Sequence, residues 1–357
     1  MNAKPVVVVA MSGGVDSSVA AALLVQQGYP VIGMMLRLWS EPGAEDSNRC
    51  CTPDSMAMAR RVASRLDIPF YAVDAKDVFR DMVVQSFIDG HAQGFTPNPC
   101  LVCNRTIRWD FLLKRALSVG ADYLATGHYA RVVRNSAGQY EVRRSADAHK
   151  DQTYVLHVLE QEQLKHALFP LGELTKPQVR ELAQQLGLSA ANRPDSQDLC
   201  FLGAGDYRAF LQRQAPSLSI PGPITNRQGE ILGEHNGLAF YTIGQRKGIG
   251  VAATHPYYVL EKDRTRNTLI IGTVDELGKD ELTAAGVNWI SGNPPSVPFQ
   301  AEVKIRYKAH EASGVVTPLP ENKVHIKFTE KLRDITPGQA AVFYQDEVCL
   351  GGGIIQP

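Results

Sequence analysis

The sequence predicts an α/β protein: a doubly wound parallel sheet, then a small mixed domain and a C-terminal β-barrel-like domain. Three observations predict this fold. Residues 6–10 form an apolar, valine-rich run, which is typical of a strand buried on both faces of a parallel sheet. Up to about residue 205, strand patterns alternate with helix patterns. Beyond about residue 281, short segments alternate apolar and charged residues, which suits a one-sided sheet or a small barrel.

The elements of the first domain, residues 1–205, follow from their local sequence. After the valine-rich strand we expect a helix at 17–27 and a second strand at 31–37. Thr52 and Pro53 indicate a helix start, because a threonine oxygen caps free amides and proline suits the first turn. This helix is expected to end near residue 66. The other expected elements are strands at 70–73 and 123–126, helices at 75–91 and 104–119, a loop at 92–103, a hairpin of 132–133 with 140–142, and a helix from Thr175 to Gly187.

Two smaller domains are expected beyond residue 205. The central domain, residues 206–280, is rich in proline and isolated glycines, and two strands at 257–260 and 268–271 flank a turn. The last domain, residues 281–357, is expected to be a β-barrel. Its predicted strands are 301–307, 324–328, 340–343 and 348–355.

Composition restricts the class of protein. The chain of 357 residues is longer than one ordinary domain. No apolar run approaches the roughly 20 residues that cross a bilayer, and the N-terminal valines have no charged leader or cleavage site. Six cysteines in a chain of this size do not make a secreted disulfide framework. Zero net charge argues against a wholly basic nucleic-acid-binding protein but allows local basic patches. We therefore expect a cytoplasmic, monomeric enzyme without membrane contact.

A glycine-rich segment follows the first strand. Residues 12–17 read SGGVDS and lead into a helix, whose free amides and dipole attract phosphate. A Walker-type loop would end in Gly-Lys-Ser/Thr, and that lysine is missing. The segment instead resembles the pyrophosphate loop of ATP pyrophosphatases, whose sheet is of the adenine-nucleotide alpha-hydrolase type. In that family ATP is cut between its α- and β-phosphates. The alternative is an ordinary strand-to-helix turn with no ligand.

Three cysteines stand in distinctive surroundings. Cys100 and Cys103 form a Cys-x-x-Cys pair among prolines, and Cys200 follows the sequence DSQDL. Cys103 is expected at a helix start near Arg105 and Arg108, which would lower its thiol pKa. From the residues alone, the pair could be half of a zinc site or a redox pair. With Cys200 it could also hold an iron–sulfur cluster.

Six motifs in a fixed order resemble one family. They are the SGGVDS loop, TPNPCLVCN at 96–104, ATGHY at 125–129, KDQTY at 150–154, DSQDLCF at 195–201 and YTIGQRKG at 241–248. Together they are similar to the tRNA-specific 2-thiouridylases, and the resemblance extends from the first strand to the last.

The resemblance implies a role for individual residues. Cys103 matches the family's nucleophile, and Cys200 matches its persulfide-bearing cysteine. ATP would be bound by Ala10, Met11, Ser12, Gly13, Gly14, Val15, Asp16, Ser17, Met35 and Gly127. The tRNA would be contacted by Asn98, Pro99, Cys100, His128, Lys150, Asp151, Gln152, Arg306, Tyr307 and Gln339. The chain departs from the family at Cys100, where many members have an aspartate with an acid/base role.

The resemblance also implies the reaction and its partners. The C2 oxygen of the wobble uridine (position 34) would be adenylated with ATP and Mg²⁺, and sulfur would then come from a persulfide. A cysteine desulfurase or a sulfur relay protein would provide that sulfur. A cluster at Cys100, Cys103 and Cys200 is the alternative sulfur carrier. Two other functions remain open: a small-molecule ligase or amidotransferase of the same fold, and a non-catalytic RNA-binding protein.

Overall fold

Seventeen strands build three sheets in the computed structural model, which describes residues 4–43, 52–193, 199–202 and 206–357. In chain order the strands are β1 Val7–Ala10, β2 Val31–Arg37, β3 Phe70–Asp74, β4 Tyr123–Ala125, β5 Arg131–Arg134, β6 Tyr140–Arg143, β7 Ala167–Leu168, β8 Gly222–Thr225, β9 Ile231–His235, β10 Tyr258–Asp263, β11 Thr268–Gly272, β12 Lys279–Trp289, β13 Phe299–Lys304, β14 Ala312–Leu319, β15 Lys323–Leu332, β16 Ala340–Gln345 and β17 Val348–Ile355.

Ten α-helical segments accompany these strands in the described residues. They are α1 Val15–Gln26, α2 Pro53–Arg65, α3 Lys76–Phe79, α4 Gln85–Ala92, α5 Pro99–Val102, α6 Leu113–Ser118, α7 Thr153–Leu156, α8 Gln161–Leu164, α9 Lys176–Gln185 and α10 Tyr207–Gln214. Two π-helical segments, Arg80–Val84 and Cys103–Leu112, connect α3 to α4 and α5 to α6. None of the helices in the described part of the chain is long and apolar enough to span a membrane.

The first sheet is parallel and has the order β3-β2-β1-β4-β7. Its central strand β1 is fully buried because its valines pack into apolar clusters on both faces. The chain moves outward from β1 to β3 and then returns to the other side of β1 with β4. This reversal opens a crevice between the carboxyl ends of β1 and β4, where such folds bind ligands. The predicted doubly wound fold is confirmed.

Residues after 206 form the second and third sheets, except that the hairpin β5–β6 of the first domain also joins the third sheet. The central sheet has the order β10-β11-β8-β9. Strands β12-β15-β14-β13-β16-β17 close into a six-stranded barrel through the pairing of β12 with β17. The predicted hairpin β5–β6 forms, but it joins the barrel through β17 instead of the parallel sheet. The expected boundary between residues 280 and 281 falls inside β12.

Several sequence predictions need correction. The helix expected from residue 104 begins at Pro99, because Asn98 caps it with its side chain and proline suits the first turn. Cys103 therefore lies one turn inside a helix and not at its start. The helix expected at 17–27 begins at Val15. The elements that the sequence patterns did not predict are β7, β8, β9, β12, β14, α5, α7, α8 and α10.

Candidate functional site

The loop after β1 passes very close to α2. Gly13 has a positive φ of 73°, and a Cβ there would lie 2.3 Å from the carbonyl oxygen of Ser55. Only glycine fits this position without a shift of the backbone. Gly14, which precedes α1, has no side chain to cap the helix amides, while the Ser12 amide donates to Ser17 Oγ at 3.1 Å. The first turn of α1 therefore faces the crevice with open amide donors.

Asp16 connects this loop to a distant lysine. Lys176, the first residue of α9, donates from Nζ to both carboxylate oxygens of Asp16, at 2.7 and 2.8 Å. The Tyr129 hydroxyl donates to the same carboxylate at 2.8 Å. Arg193 donates to the Gly13 carbonyl oxygen at 3.1 Å. The loop lacks a lysine of its own, but the fold brings one to it.

One cavity brings the loop and both predicted catalytic cysteines together. It has a volume of about 210 Å³, and Met35 and Gly127 lie in its wall as expected for an adenosine pocket. Cys103 and Cys200 are half-buried and also pack against one apolar cluster. We call this space the nucleotide pocket. It is lined by Ala10, Met11, Ser12, Asp16, Ser17, Met34, Met35, Leu36, Leu38, Cys103, Arg108, Leu112, Thr126, Gly127, His128, Gln152 and Cys200.

The described residues contain no group of three His, Cys, Asp or Glu side chains that could hold a metal ion. Cys100 is exposed and lies outside the nucleotide pocket, so the three cysteines proposed for a cluster are not gathered into such a group. Magnesium has different requirements, since it takes most of its ligands from substrate phosphates and water. Asp16 is the carboxylate that a nucleotide-bound Mg²⁺ would meet here, so the residues fit an ion that arrives with ATP.

His128 lies buried beside the loop, at the end of β4. Arg108 donates to its Nε2 at 3.0 Å, and its Nδ1 lies 2.7 Å from Thr126 Oγ1. Burial, and then the charge of Arg108, lowers the pKa of His128 well below its usual range. The ring is therefore neutral and has hydrogen-bond partners at both nitrogens.

A second, larger cavity of about 870 Å³ joins the nucleotide pocket and runs toward the barrel. Both cavities share Ser12, Asp16, Arg108 and Gln152. Seven lysines and arginines line the second cavity against three aspartates and glutamates. We call it the basic cleft. Its charged residues are Arg108, Arg144, Lys150, Lys176, Arg193, Lys304, Lys308, Asp16, Asp151 and Glu311.

The residues expected to contact tRNA fall into two groups. Lys150, Gln152 and Tyr307 line the basic cleft, where Tyr307 is 36% exposed. Asp151 also borders the cleft, but its side chain is buried and accepts from the Ser145 amide at 2.8 Å.

The second group of residues makes contacts within the protein. The Gln339 amide donates to the Thr96 carbonyl oxygen at 2.8 Å, and Asn98 caps the Cys100 helix. Arg306 donates to the carbonyl oxygens of Ile243 and Asp334, at 3.0 and 3.1 Å. Pro99 and His128 are buried. Asn98, Arg306 and Gln339 are part-exposed, but their polar groups already have partners within the protein.

Sequence reasoning missed three residues of the site. Lys176 was seen only as the start of a helix, Tyr129 only as part of ATGHY, and Arg108 only as a charge near Cys103. The position of Lys176 beside Asp16 depends on the packing of α9 against α1, and that of Tyr129 on the segment after β4, so neither follows from local sequence. The sequence carries no signal for these contacts, because the burial of Lys176, which calls for a partner, appears only in the folded chain.

Comparisons with known proteins cover all three sheets. Three family models match in succession: "tRNA methyl transferase HUP domain" at residues 5–204, "tRNA methyl transferase PRC-barrel domain" at 208–273 and "Aminomethyltransferase beta-barrel domain" at 279–355. The "tRNA-specific 2-thiouridylase MnmA" of Magnetococcus marinus is 48% identical over 98% of both chains. The proteins of the same name from Clostridium perfringens and Acetivibrio thermocellus are 43% and 44% identical over 99% of both chains.

Proposed function

This chain belongs to the family of tRNA-specific 2-thiouridylases, and we propose that it modifies the wobble uridine of tRNA in two chemical steps. ATP first adenylates the C2 oxygen of the uracil, and a cysteine persulfide then replaces that oxygen with sulfur. The observation that carries the proposal is the nucleotide pocket, in which the loop at residues 12–17, Cys103 and Cys200 line one cavity.

The first step makes a poor leaving group into a good one. The uracil C2 oxygen attacks the α-phosphorus of ATP, the bond to the β-phosphate oxygen breaks, and pyrophosphate leaves. Open amides at the start of α1 and the ammonium of Lys176 lie beside the loop, where charge develops on that leaving group. A nucleotide-bound Mg²⁺ would add further positive charge there. The C2 oxygen is now part of AMP.

The second step transfers sulfur to C2, and a disulfide between the two cysteines completes its electron balance. The terminal sulfur of a Cys200 persulfide attacks C2, and AMP leaves with the former C2 oxygen. The Cys103 thiolate then attacks Cys200 Sγ, and the electron pair of the broken S–S bond stays on the sulfur bound to C2. The product is 2-thiouridine and a Cys103–Cys200 disulfide. A dithiol reductant and a persulfide donor protein must restore the enzyme.

The basic cleft is the proposed path of the tRNA backbone. It extends from the loop to the barrel and is lined mainly by positive side chains, which attract phosphates. The uridine must leave its stack to reach the pocket, as bases do in other base-modifying enzymes. We propose a monomer acting on one tRNA in the cytoplasm, with three domains: residues 1–205, a central domain from residue 206, and a barrel domain that begins with β12 at Lys279.

Cysteine variants test this mechanism. Cys103→Ser and Cys200→Ser should each lower the yield of 2-thiouridine on the order of 1,000-fold, because neither hydroxyl can carry or release sulfur. Both variants should still release pyrophosphate in the presence of tRNA and ATP. Cys349→Ala is the matched control: this thiol is buried in the barrel, and burial raises its pKa far above the usual range, so activity should stay within about twofold.

The two other candidate functions predict different results. A small-molecule ligase would turn over ATP without RNA and would not depend on either cysteine. A non-catalytic RNA-binding protein would release no pyrophosphate when tRNA and ATP are present. Full thiolation by both serine variants would overturn the persulfide mechanism.

A further inference from the structure

Arg108 lies where the nucleotide pocket and the basic cleft meet. It lines both cavities, together with Ser12 and Asp16 of the loop and Gln152. Cys103 and Cys200 share the first of these cavities with it. A guanidinium stays charged at every physiological pH and can bind two phosphate oxygens at once. The sequence indicated Arg108 only as a charge near a thiol.

The π-helical segment explains how Arg108 reaches this position. Cys103 and Arg108 are five residues apart, and in an α-helix they would point about 140° away from each other. The segment Cys103–Leu112 instead closes its turns between residues i and i+5. The wider turn moves Arg108 toward the face of Cys103, and both side chains line the same cavity.

A hydrogen bond to His128 orients the guanidinium of Arg108. Arginine has only donors, so Nε2 of His128 must accept the 3.0 Å hydrogen bond from Arg108. The proton of the neutral ring is then on Nδ1 and is donated to Thr126 Oγ1 at 2.7 Å. Asn104, itself buried, accepts a longer contact of 3.5 Å from the same Arg108 nitrogen. Only 5% of His128 is exposed, and that part lies in the wall of the nucleotide pocket, so only a group inside the pocket can touch its ring.

We propose that Arg108 binds the α-phosphate of the nucleotide beside Cys103, and that His128 is its positioning residue. This inference rests on the proposed function and adds a residue to it. The guanidinium neutralises the α-phosphate while the uracil oxygen attacks and while AMP leaves. His128 contributes through Arg108 by keeping the guanidinium aimed at the junction of the two cavities.

Two amide variants of His128 separate these roles. In His128→Gln the side-chain oxygen lies near the former Nε2 and can still accept from Arg108. In His128→Asn the shorter amide lies near the former Nδ1, keeps Thr126 as a partner and leaves Arg108 without this acceptor. We expect His128→Asn to lower kcat at saturating tRNA by about 10- to 100-fold, and His128→Gln by less than about threefold. The tRNA dissociation constant should stay within twofold for both variants.

Nucleotide binding is the second measurement, because it does not depend on thiolation. Calorimetry with AMP should show binding about tenfold weaker for His128→Asn and for Arg108→Lys, and nearly unchanged for His128→Gln. Equal losses in the two amide variants, or weaker tRNA binding with unchanged kcat, would overturn the inference. If the native chain makes no 2-thiouridine, the proposed function fails, while the AMP affinities still decide the role of Arg108.

Discussion

The nucleotide pocket and the basic cleft share four residues but are built in different ways. One wall of the pocket is a continuous loop, whose backbone approaches α2 so closely that a Cβ at Gly13 would lie 2.3 Å from a carbonyl oxygen. The cleft is assembled from side chains of the first domain and the barrel, such as Lys150 and Lys308. Backbone geometry is encoded locally, whereas an assembled surface depends on how distant segments pack.

The residues expected to bind ATP and those expected to bind tRNA differ in where they lie in the structure. Most residues expected to bind ATP line the nucleotide pocket. Arg306 and Gln339, which are also expected to bind tRNA, are part-exposed and donate to backbone carbonyl oxygens of the protein. A residue can therefore matter for tRNA binding because it holds the cleft together, without touching the ligand.

After the cysteine variants, the largest effect is expected in the loop of the pocket. Gly13→Ala should lower ATP-dependent pyrophosphate release on the order of 100-fold, because alanine disfavours the positive φ and its Cβ would displace the loop. Gly138→Ala is the matched control in the β5–β6 turn: its φ is 82°, and a Cβ there meets nothing closer than 3.5 Å. The control should cost about 1 kcal/mol of stability and leave pyrophosphate release unchanged. Equal activities of the two variants would contradict a loop set by its backbone.

Local patterns predicted the loop of the pocket because its parts follow one another in the chain. The buried strand β1, the glycines and α1 occupy consecutive residues, and Thr52 caps α2 through its side chain as expected. The π-helical turn after Cys103 left no such pattern, since an insertion of this kind changes the register of a helix without a breaking residue. The role of Arg108 followed from that turn and was missed with it.

The barrel was predicted only in part for a related reason. The expected strands of alternating pattern formed, as in β15 and β17, while β14 was missed. β14 contains a glycine and a proline, which weaken a strand pattern. The hairpin β5–β6 was recognised, but its partner β17 lies about 200 residues later in the chain. Local alternation can indicate a strand and cannot identify its distant neighbour.

A second, smaller effect, on stability, is expected at Arg306 next to the wall of the cleft. Arg306→Ala removes hydrogen bonds to Asp334, Ile243 and Thr336, and should lower the free energy of unfolding by about 2–4 kcal/mol. Urea denaturation measures this loss, and the folded variant should bind tRNA within about threefold of the native protein. The exposed Arg333→Ala should change stability by less than about 0.5 kcal/mol. Native stability with weak tRNA binding would instead make Arg306 a direct contact.

The smallest effects are expected at single lysines that line the cleft. Lys150→Ala and Lys308→Ala should each weaken tRNA binding by about 3- to 10-fold, because each removes one positive charge near the phosphates. The dependence of log Kd on log salt concentration should become shallower by up to about one unit per lysine, while pyrophosphate release at saturating tRNA stays unchanged. Filter binding at several salt concentrations measures both quantities.

The control for this experiment is a lysine elsewhere on the barrel. Lys327 is exposed on β15, pairs with Asp280 at 2.8 Å and lies outside the lining of both cavities. Lys327→Ala removes the same charge, so any difference from Lys150→Ala reflects position and not net charge. If all three variants reduce the salt dependence equally, tRNA is attracted by overall charge and the cleft is not its path. If only Lys150→Ala and Lys308→Ala do so, phosphates lie along the cleft between the loop and the barrel.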